Sequence, residues 1–184
     1  MNHCVAGTSD QVASLVRRFV LPLAIAACLY TPSLFAAEFS PAADGEGHAL
    51  DFWLGEWVIT APGGTSSSTS KVYLTLDNHL LIESWDGGAG HQGENLVAYN
   101  PQEKSWHWLF VDNRGHVHAF TGTAQSGHGE FNGTSQGENG EAVLNRLRLT
   151  RVGSSQVEQT WEQSTDNGAT WTMLFRGKYT RKNS

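Results

Sequence analysis

The sequence predicts an all-β protein, an antiparallel up-and-down β-barrel of about eight to ten strands with a short N-terminal helix. Short runs of β-branched and aromatic residues begin at residue 56 and continue to the C-terminus. Turn signals rich in Gly, Asn and Asp separate these runs, and no helical periodicity of useful length appears among them. Strands joined by tight turns are antiparallel neighbours, and closing them into a barrel removes the exposed sheet edges.

The first 36 residues have the outline of a secretory signal peptide. Arg17 and Arg18 precede an apolar run over residues 19–35, and the small residues Ala36 and Ala37 follow before the chain turns polar. Prolines interrupt the run, and it is shorter than the roughly 20 apolar residues that a membrane span needs. We therefore expect cleavage after Ala36, no membrane span, and a periplasmic or secreted protein.

A second interpretation of the leader is a lipid anchor. Residues 25–28 resemble a bacterial lipoprotein box, which would make Cys28 a lipidated N-terminus. The apolar run continues past this cysteine through Leu29 and Tyr30, where a lipoprotein usually turns polar, so the signal peptide remains the favoured interpretation.

Cleavage after residue 36 limits the chemistry of the mature chain. It removes both cysteines, Cys4 and Cys28, so that no disulfide, thiolate nucleophile or zinc-thiolate site can form. Two basic residues and one acidic residue are lost with the leader, which takes the formal charge from −6 to −7. No basic patch remains that would predict binding to nucleic acid.

The ordered part of the chain opens with DFWLGEWVIT, residues 51–60. Its first four residues give one or two helical turns with an apolar face, and Gly55 can adopt the positive φ that ends such a turn. Trp57 and the β-branched residues after it begin a strand.

The runs between turn signals predict ten strands. These cover residues 56–60, 68–75, 79–85, 93–100, 106–112, 116–125, 130–135, 142–152, 156–163 and 171–182. We assign them to one domain over residues 49–182, preceded by a flexible polar lead-in over residues 37–48.

The turn sequences of two hairpins predict how their strands pair. Residues 112–115 and 165–168 both fit a type I turn followed by a left-handed glycine. The first hairpin then pairs Phe110 with His118 and Trp108 with Phe120, and it places Asp112 near His116. The second would pair Gln163 with Trp171, Trp161 with Met173, and Gln159 with Phe175. Both registers collect the aromatic residues on one face.

The inward face is not purely apolar. By strand alternation it includes Glu83, Asn95, Asn145, Gln159 and Gln163. A buried amide or carboxylate without a partner costs about 1–3 kcal/mol, so such residues favour a ligand cavity over a solid core, unless they bond one another or buried water. The candidate ligand-binding residues are Glu83, Trp85, Trp106, Trp108, Phe110, His116, His118, Phe120, Gln159, Trp161, Met173 and Phe175.

Four segments carry a family resemblance: DFWLGEW at 51–57, LLIESWDG at 80–87, WHWLFVDNRG at 106–115, and the closing residues 161–182. Together they resemble an uncharacterised family of bacterial secreted proteins that is grouped with the lipocalin-like, or calycin, barrels. The resemblance implies an up-and-down barrel and no particular activity.

The calycin resemblance also implies a structural motif. In calycins the Gly-x-Trp of the first strand packs at the closed end of the barrel beneath a late arginine. Gly55 and Trp57 match the first part, and either Arg181 or Arg176 can supply the arginine. Arg181 is preferred because it alternates with the inward residues Phe175 and Tyr179. The chain is more distantly similar to nitrobindin and fatty-acid-binding-protein barrels. Nitrobindin binds haem iron through a late histidine, whereas no histidine follows His128 here, so we expect neither haem nor another cofactor.

Glu83, His116 and His118 are the candidate catalytic residues. A carboxyl group in an aromatic pocket has its charged form disfavoured and can transfer protons near neutral pH. The alternative for Glu83, and the one that we favour, is a salt bridge to Arg146 or Arg148. His116 and His118 share one strand face with side chains about 7 Å apart, a chelating spacing, but no third ligand is fixed and no metal is predicted.

These observations predict an exported barrel that binds a small apolar or aromatic molecule. The alternatives are a cofactor-independent isomerase, cyclase or lyase that uses Glu83 with His116 and His118, and a structural envelope-associated domain with a packed interior. No sequence motif for nucleophilic, phosphate-binding or dinucleotide chemistry is present.

Overall fold

The computed structural model describes residues 45–64 and 67–182. The predicted signal peptide and residues 37–44 of the predicted lead-in lie outside these residues. Within the described ranges, no helix is long and apolar enough to cross a membrane.

Ten antiparallel strands form one closed barrel, which confirms the predicted fold class. Each strand pairs with its neighbours in the chain, and β1 pairs with β10 to close the sheet. The strands are β1 (Gly55–Thr60), β2 (Ser67–Thr75), β3 (Leu80–Gly88), β4 (His91–Asn100), β5 (Ser105–Asp112), β6 (Val117–Gln125), β7 (His128–Gln136), β8 (Ala142–Arg151), β9 (Gln156–Ser164) and β10 (Thr172–Arg181).

The short N-terminal helix consists of two 3-10 turns, Glu46–His48 and Asp51–Trp53. They cover the end of the barrel where β1 begins and β10 ends, which we call the covered end. Leu50 and Trp53 are fully buried there, and Trp53 stacks on the ring of Trp108 at 5.1 Å. This end of the barrel is therefore filled by side chains.

The first predicted hairpin register is correct. Phe110 pairs with His118, and Trp108 pairs with Phe120. The amide of Asp112 also donates to the carbonyl of His116 over 3.1 Å, which closes the turn as expected. Strand alternation therefore directs these aromatic side chains toward the interior.

The predicted register of the last hairpin is wrong. Trp161 pairs with Phe175 and Gln159 pairs with Gly177, because a β-bulge interrupts the pairing between Met173 and Phe175. Met173 instead pairs with Glu162. Its side chain is 47% exposed.

Asp166 explains this shift, because its side chain extends the loop beyond the predicted three residues. One of its oxygens accepts hydrogen bonds from the Ser164 hydroxyl, at 2.7 Å, and from the Thr170 amide, at 2.8 Å. Asn167 and Gly168 are both left-handed, with φ values of 57° and 90°, whereas the predicted turn needs only one such residue. The strand after the loop therefore begins later than predicted.

Arg181 joins the two ends of the chain at the covered end. Its guanidinium lies 4.4 Å from the centroid of the Trp57 ring, and its Nη1 atom donates to the carbonyl of Leu54 over 2.8 Å. Trp57 in turn donates from its indole nitrogen to the carbonyl of Trp53 over 2.8 Å. The contact between Trp57 and Arg181 thus connects β1, β10 and the second 3-10 turn.

Gly55 has to be glycine for two reasons. Its φ is +130°, a conformation that L-residues rarely adopt. A β-carbon at this position would also lie 2.1 Å from Nη1 of Arg181.

We therefore expect Gly55→Ala to lower the free energy of unfolding by about 2 kcal/mol or more, measured by urea denaturation. Gly153→Ala is the matched control, because a β-carbon there meets no atom within 4 Å. Equal stability of the two variants would contradict this role for Gly55.

Candidate functional site

The opposite end of the barrel, which we call the open end, contains a cavity of about 330 Å³. This is within the size range of small-molecule sites, toward its lower limit. Its walls come from inward-facing residues of β3, β4, β5, β6, β8, β9 and β10. The interior is thus packed near the covered end and hollow near the open end.

Most of the predicted binding residues line this cavity. They are Glu83, Trp85, Phe110, His116, His118, Phe120, Gln159, Trp161 and Phe175. Trp106 and Trp108 do not line it, although both are buried. Met173 does not line it either, because the bulge replaces it with Leu174.

Glu83 is the most deeply buried ionisable group of the cavity, with 1% of its surface exposed. Its Oε2 atom accepts a hydrogen bond from Asn95 at 2.8 Å. The side-chain oxygen of Asn95, Oδ1, accepts in turn from the indole nitrogen of Trp108 at 2.6 Å. The Oε1 atom of Glu83 has no hydrogen-bond partner among the described residues.

Burial raises the pKa of Glu83 to about 7, although the nearby polar side chains of Ser70, Tyr179 and Asn95 partly offset this effect. The predicted alternative, a salt bridge to Arg146 or Arg148, is wrong. Both arginines instead pair with Glu162, at 2.9 and 2.7 Å. Glu83 is therefore a buried carboxyl group with no cationic partner among the described residues.

Tyr179 is a cavity residue that the sequence analysis did not assign to the site. Its hydroxyl donates to the side-chain oxygen of Gln159. Burial and the neighbouring Glu83 hold the pKa of Tyr179 well above its usual value, so the phenol is neutral. Its inward alternation with Phe175 was the signal that could have identified it.

The cavity wall is a group of aromatic rings around Trp161. His118 meets the Trp161 ring edge-on at 4.6 Å, and Phe120 does so at 5.7 Å. Burial, together with the nearby His116, lowers the pKa of His118, so this imidazole is neutral at neutral pH. The wall is therefore mostly uncharged and aromatic.

Asn145 on β8 fixes the orientation of the Trp161 ring through a hydrogen bond. Its side-chain oxygen accepts hydrogen bonds from Trp161 and Gln163, both at 2.9 Å. Its amide nitrogen donates to the Ser135 hydroxyl at 2.9 Å. This inward amide is thus satisfied by protein groups, in contrast to the free oxygen of Glu83.

At the mouth of the cavity, Asp112 holds two histidines. Its Oδ2 atom lies 2.9 Å from Nε2 of His91 and 2.8 Å from Nδ1 of His116. Oδ1 accepts from the backbone amides of Arg114 and His116, at 3.0 and 2.9 Å. Burial opposes ionisation of Asp112, but these hydrogen bonds outweigh it and hold its pKa well below the usual value. Because the carboxylate is ionised, both imidazoles donate to it.

The structure explains why the contact between His91 and Asp112 was not predicted. His91 lies before the predicted start of its strand, and it reaches Asp112 across 21 positions of sequence. His91 also meets the Trp85 ring edge-on at 4.9 Å. No local pattern in the sequence indicates such a contact.

The predicted pair His116 and His118 does not form part of a larger ligand cluster. Among the described residues, no group of three or more His, Cys, Asp or Glu side chains is arranged to hold a metal ion. His116 instead bonds Asp112, and its side chain is 61% exposed.

No family model matches the chain, and a search of curated proteins finds no significant match.

The pKa of Glu83 predicts a pH-dependent stability. The folded carboxyl holds its proton up to about pH 7, whereas the unfolded one loses it near pH 4.5, so stability falls as the pH rises between these values. Between pH 4.5 and pH 8 this effect lowers the free energy of unfolding by on the order of 3 kcal/mol, and we expect the Glu83→Gln variant not to show this decrease.

Urea denaturation of the mature protein at pH 5, 6.5 and 8 measures this difference. The lowered pKa of His118 makes stability rise with pH, which is the opposite effect. Because wild type and E83Q both contain His118, the difference between their pH slopes reports Glu83 alone. Glu138→Gln is the control, because Glu138 is exposed and is not among the groups that act on the pKa of Glu83. Identical pH slopes for wild type and E83Q would contradict the prediction.

Proposed function

We propose that this protein is an exported binding protein that holds a small apolar or aromatic molecule in the cavity at the open end of its barrel. The observation that carries the proposal is the cavity itself, in which aromatic walls surround a few polar groups. Ligand sites are mostly apolar and contain a small number of placed polar atoms that orient the ligand.

Packing at the covered end supports this function over a purely structural role. Trp53, Trp57 and Trp108 fill that end. Trp57 and Trp108 donate to protein groups, whereas the indole nitrogen of Trp53 is buried without a partner among the described residues. The open end instead leaves about 330 Å³ beside a buried carboxyl oxygen without a protein partner. A barrel that served only as a scaffold would gain stability from filling this space.

Export and family membership form part of the same proposal. The basic and apolar leader supports a periplasmic or secreted location, with lipid anchoring at Cys28 as the alternative. The closed ten-stranded barrel is the architecture that the resemblance to lipocalin-like proteins implies.

Native mass spectrometry of the mature protein, purified from its own periplasm, tests the function directly. We expect an additional mass of a small organic molecule that is lost on denaturation. When that molecule is titrated into protein from which it has been removed, it should quench tryptophan fluorescence, because Trp85 and Trp161 line the cavity.

A pair of neighbouring variants tests the location of the site. Leu174 lines the cavity and is 51% exposed, whereas Met173 is similarly exposed but does not line it. We expect Leu174→Trp to weaken binding of the recovered molecule at least tenfold by obstructing the mouth, and Met173→Trp to change it less than twofold. Equal affinities in the two variants would place the site elsewhere.

A second candidate function is proton transfer to and from the bound molecule. It is favoured by the pKa of Glu83, about 7, because a general acid or base works best near the operating pH. The neutral imidazole of His118 lines the same cavity. Incubation of the recovered molecule with wild type and with E83Q, followed by mass and NMR analysis, distinguishes catalysis from binding, because only catalysis converts the molecule and only in wild type.

A further inference from the structure

We propose that the cavity selects a small organic cation, a protonated amine on an aromatic body, and that its ammonium group donates a hydrogen bond to the Oε1 atom of Glu83. This inference rests on the function proposed above, since it names the chemical class of the ligand for the same cavity.

The first observation is the free oxygen of Glu83. The residue is 1% exposed and lines the cavity, yet Oε1 has no partner among the described residues. Leaving a buried acceptor unsatisfied is costly, and more so when it is charged. A ligand donor placed in the cavity would satisfy this atom.

The second observation is the charge of the cavity lining. Within the described part of the chain, no lysine or arginine lines the cavity, whereas Glu83 and Asp112 both do. Asp112 is already hydrogen-bonded to His91 and His116. A carboxylate ligand would therefore meet Glu83 with no lysine or arginine to pair with, whereas an ammonium group would meet an acid that no lysine or arginine compensates.

The third observation is the aromatic wall. Phe110, Phe120, Trp161 and Phe175 line the same cavity as Glu83. The faces of aromatic rings attract cations within about 6 Å, and more strongly where water is excluded. Such a wall accommodates both the aromatic body of the ligand and the positive charge next to it.

The titratable groups around Glu83 set the pH dependence of cation binding. Tyr179 faces it from β10 and stays neutral, while Glu94 on β4 adds a small repulsion that raises the pKa of Glu83. Among the other cavity groups, His118 is neutral and Asp112 is ionised at neutral pH. With a pKa of about 7, Glu83 is about ten times more ionised at pH 8 than at pH 6, so cation affinity should rise by about this factor.

Isothermal titration calorimetry with three matched probes tests the inference. The probes are 2-phenylethylamine, 2-phenylethanol and phenylacetate, which share an aromatic ring but are cationic, neutral and anionic. Alkyl ammonium groups stay protonated up to about pH 10, so only the protein titrates between pH 6 and 8. At pH 8 we expect the amine to bind at least tenfold more tightly than the alcohol, and phenylacetate to bind most weakly.

Two variants assign the preference to Glu83. In E83Q the amine should lose at least tenfold in affinity and most of its pH dependence, while 2-phenylethanol should bind as it does in wild type, which also shows that the cavity is intact. E138Q removes an exposed carboxylate from the turn between β7 and β8, which does not line the cavity, and should change the affinity for the amine less than twofold.

The outcomes separate this inference from the proposed function. If 2-phenylethanol binds wild type as tightly as the amine, or if E83Q keeps the preference for the amine, the cation inference is wrong and the binding function stands. If none of the probes binds and no molecule is retained in native mass spectrometry, both proposals are wrong.

Discussion

The closure of the sheet between β1 and β10 is the constraint on which the rest of the barrel depends. It is made at the covered end, where Trp57 pairs with Arg181 along the ladder and lies beneath its guanidinium. Because the 3-10 turns and three tryptophans fill that end, the cavity that contains Glu83 lies toward the other. The position of the candidate site thus follows from how the barrel is closed.

Most of the fold could be predicted from the sequence because strand alternation and tight turns are local signals. All ten strands were predicted to within a few residues of their observed bounds, and the register at Phe110 and His118 is the predicted one. The last hairpin could not be predicted in the same way. Its register depends on the hydrogen bonds that the Asp166 carboxylate accepts and on a bulge near Met173, and turn composition specifies neither.

The site was predictable to the extent that it follows alternation along single strands. Glu83, Phe110 and Trp161 face inward because neighbours two positions away do. The same alternation explains why the predicted salt bridge between Glu83 and Arg146 does not form. Arg146 directly follows the inward Asn145 and therefore faces outward, where it pairs with Glu162. Contacts between distant strands, such as His91 with Asp112, arise only when the barrel closes.

The hydrogen-bond chain from Trp108 through Asn95 to Glu83 also determines where a proton can reside. An indole nitrogen can only donate, so the Asn95 oxygen must face Trp108 and its NH₂ group must face Glu83. The Oε2 atom of Glu83 accepts from this NH₂ group, which favours Oε1 as the site of a proton on this carboxyl group. A tryptophan on the covered side of the barrel thereby makes Oε1 a donor when Glu83 is neutral and an acceptor when it is ionised.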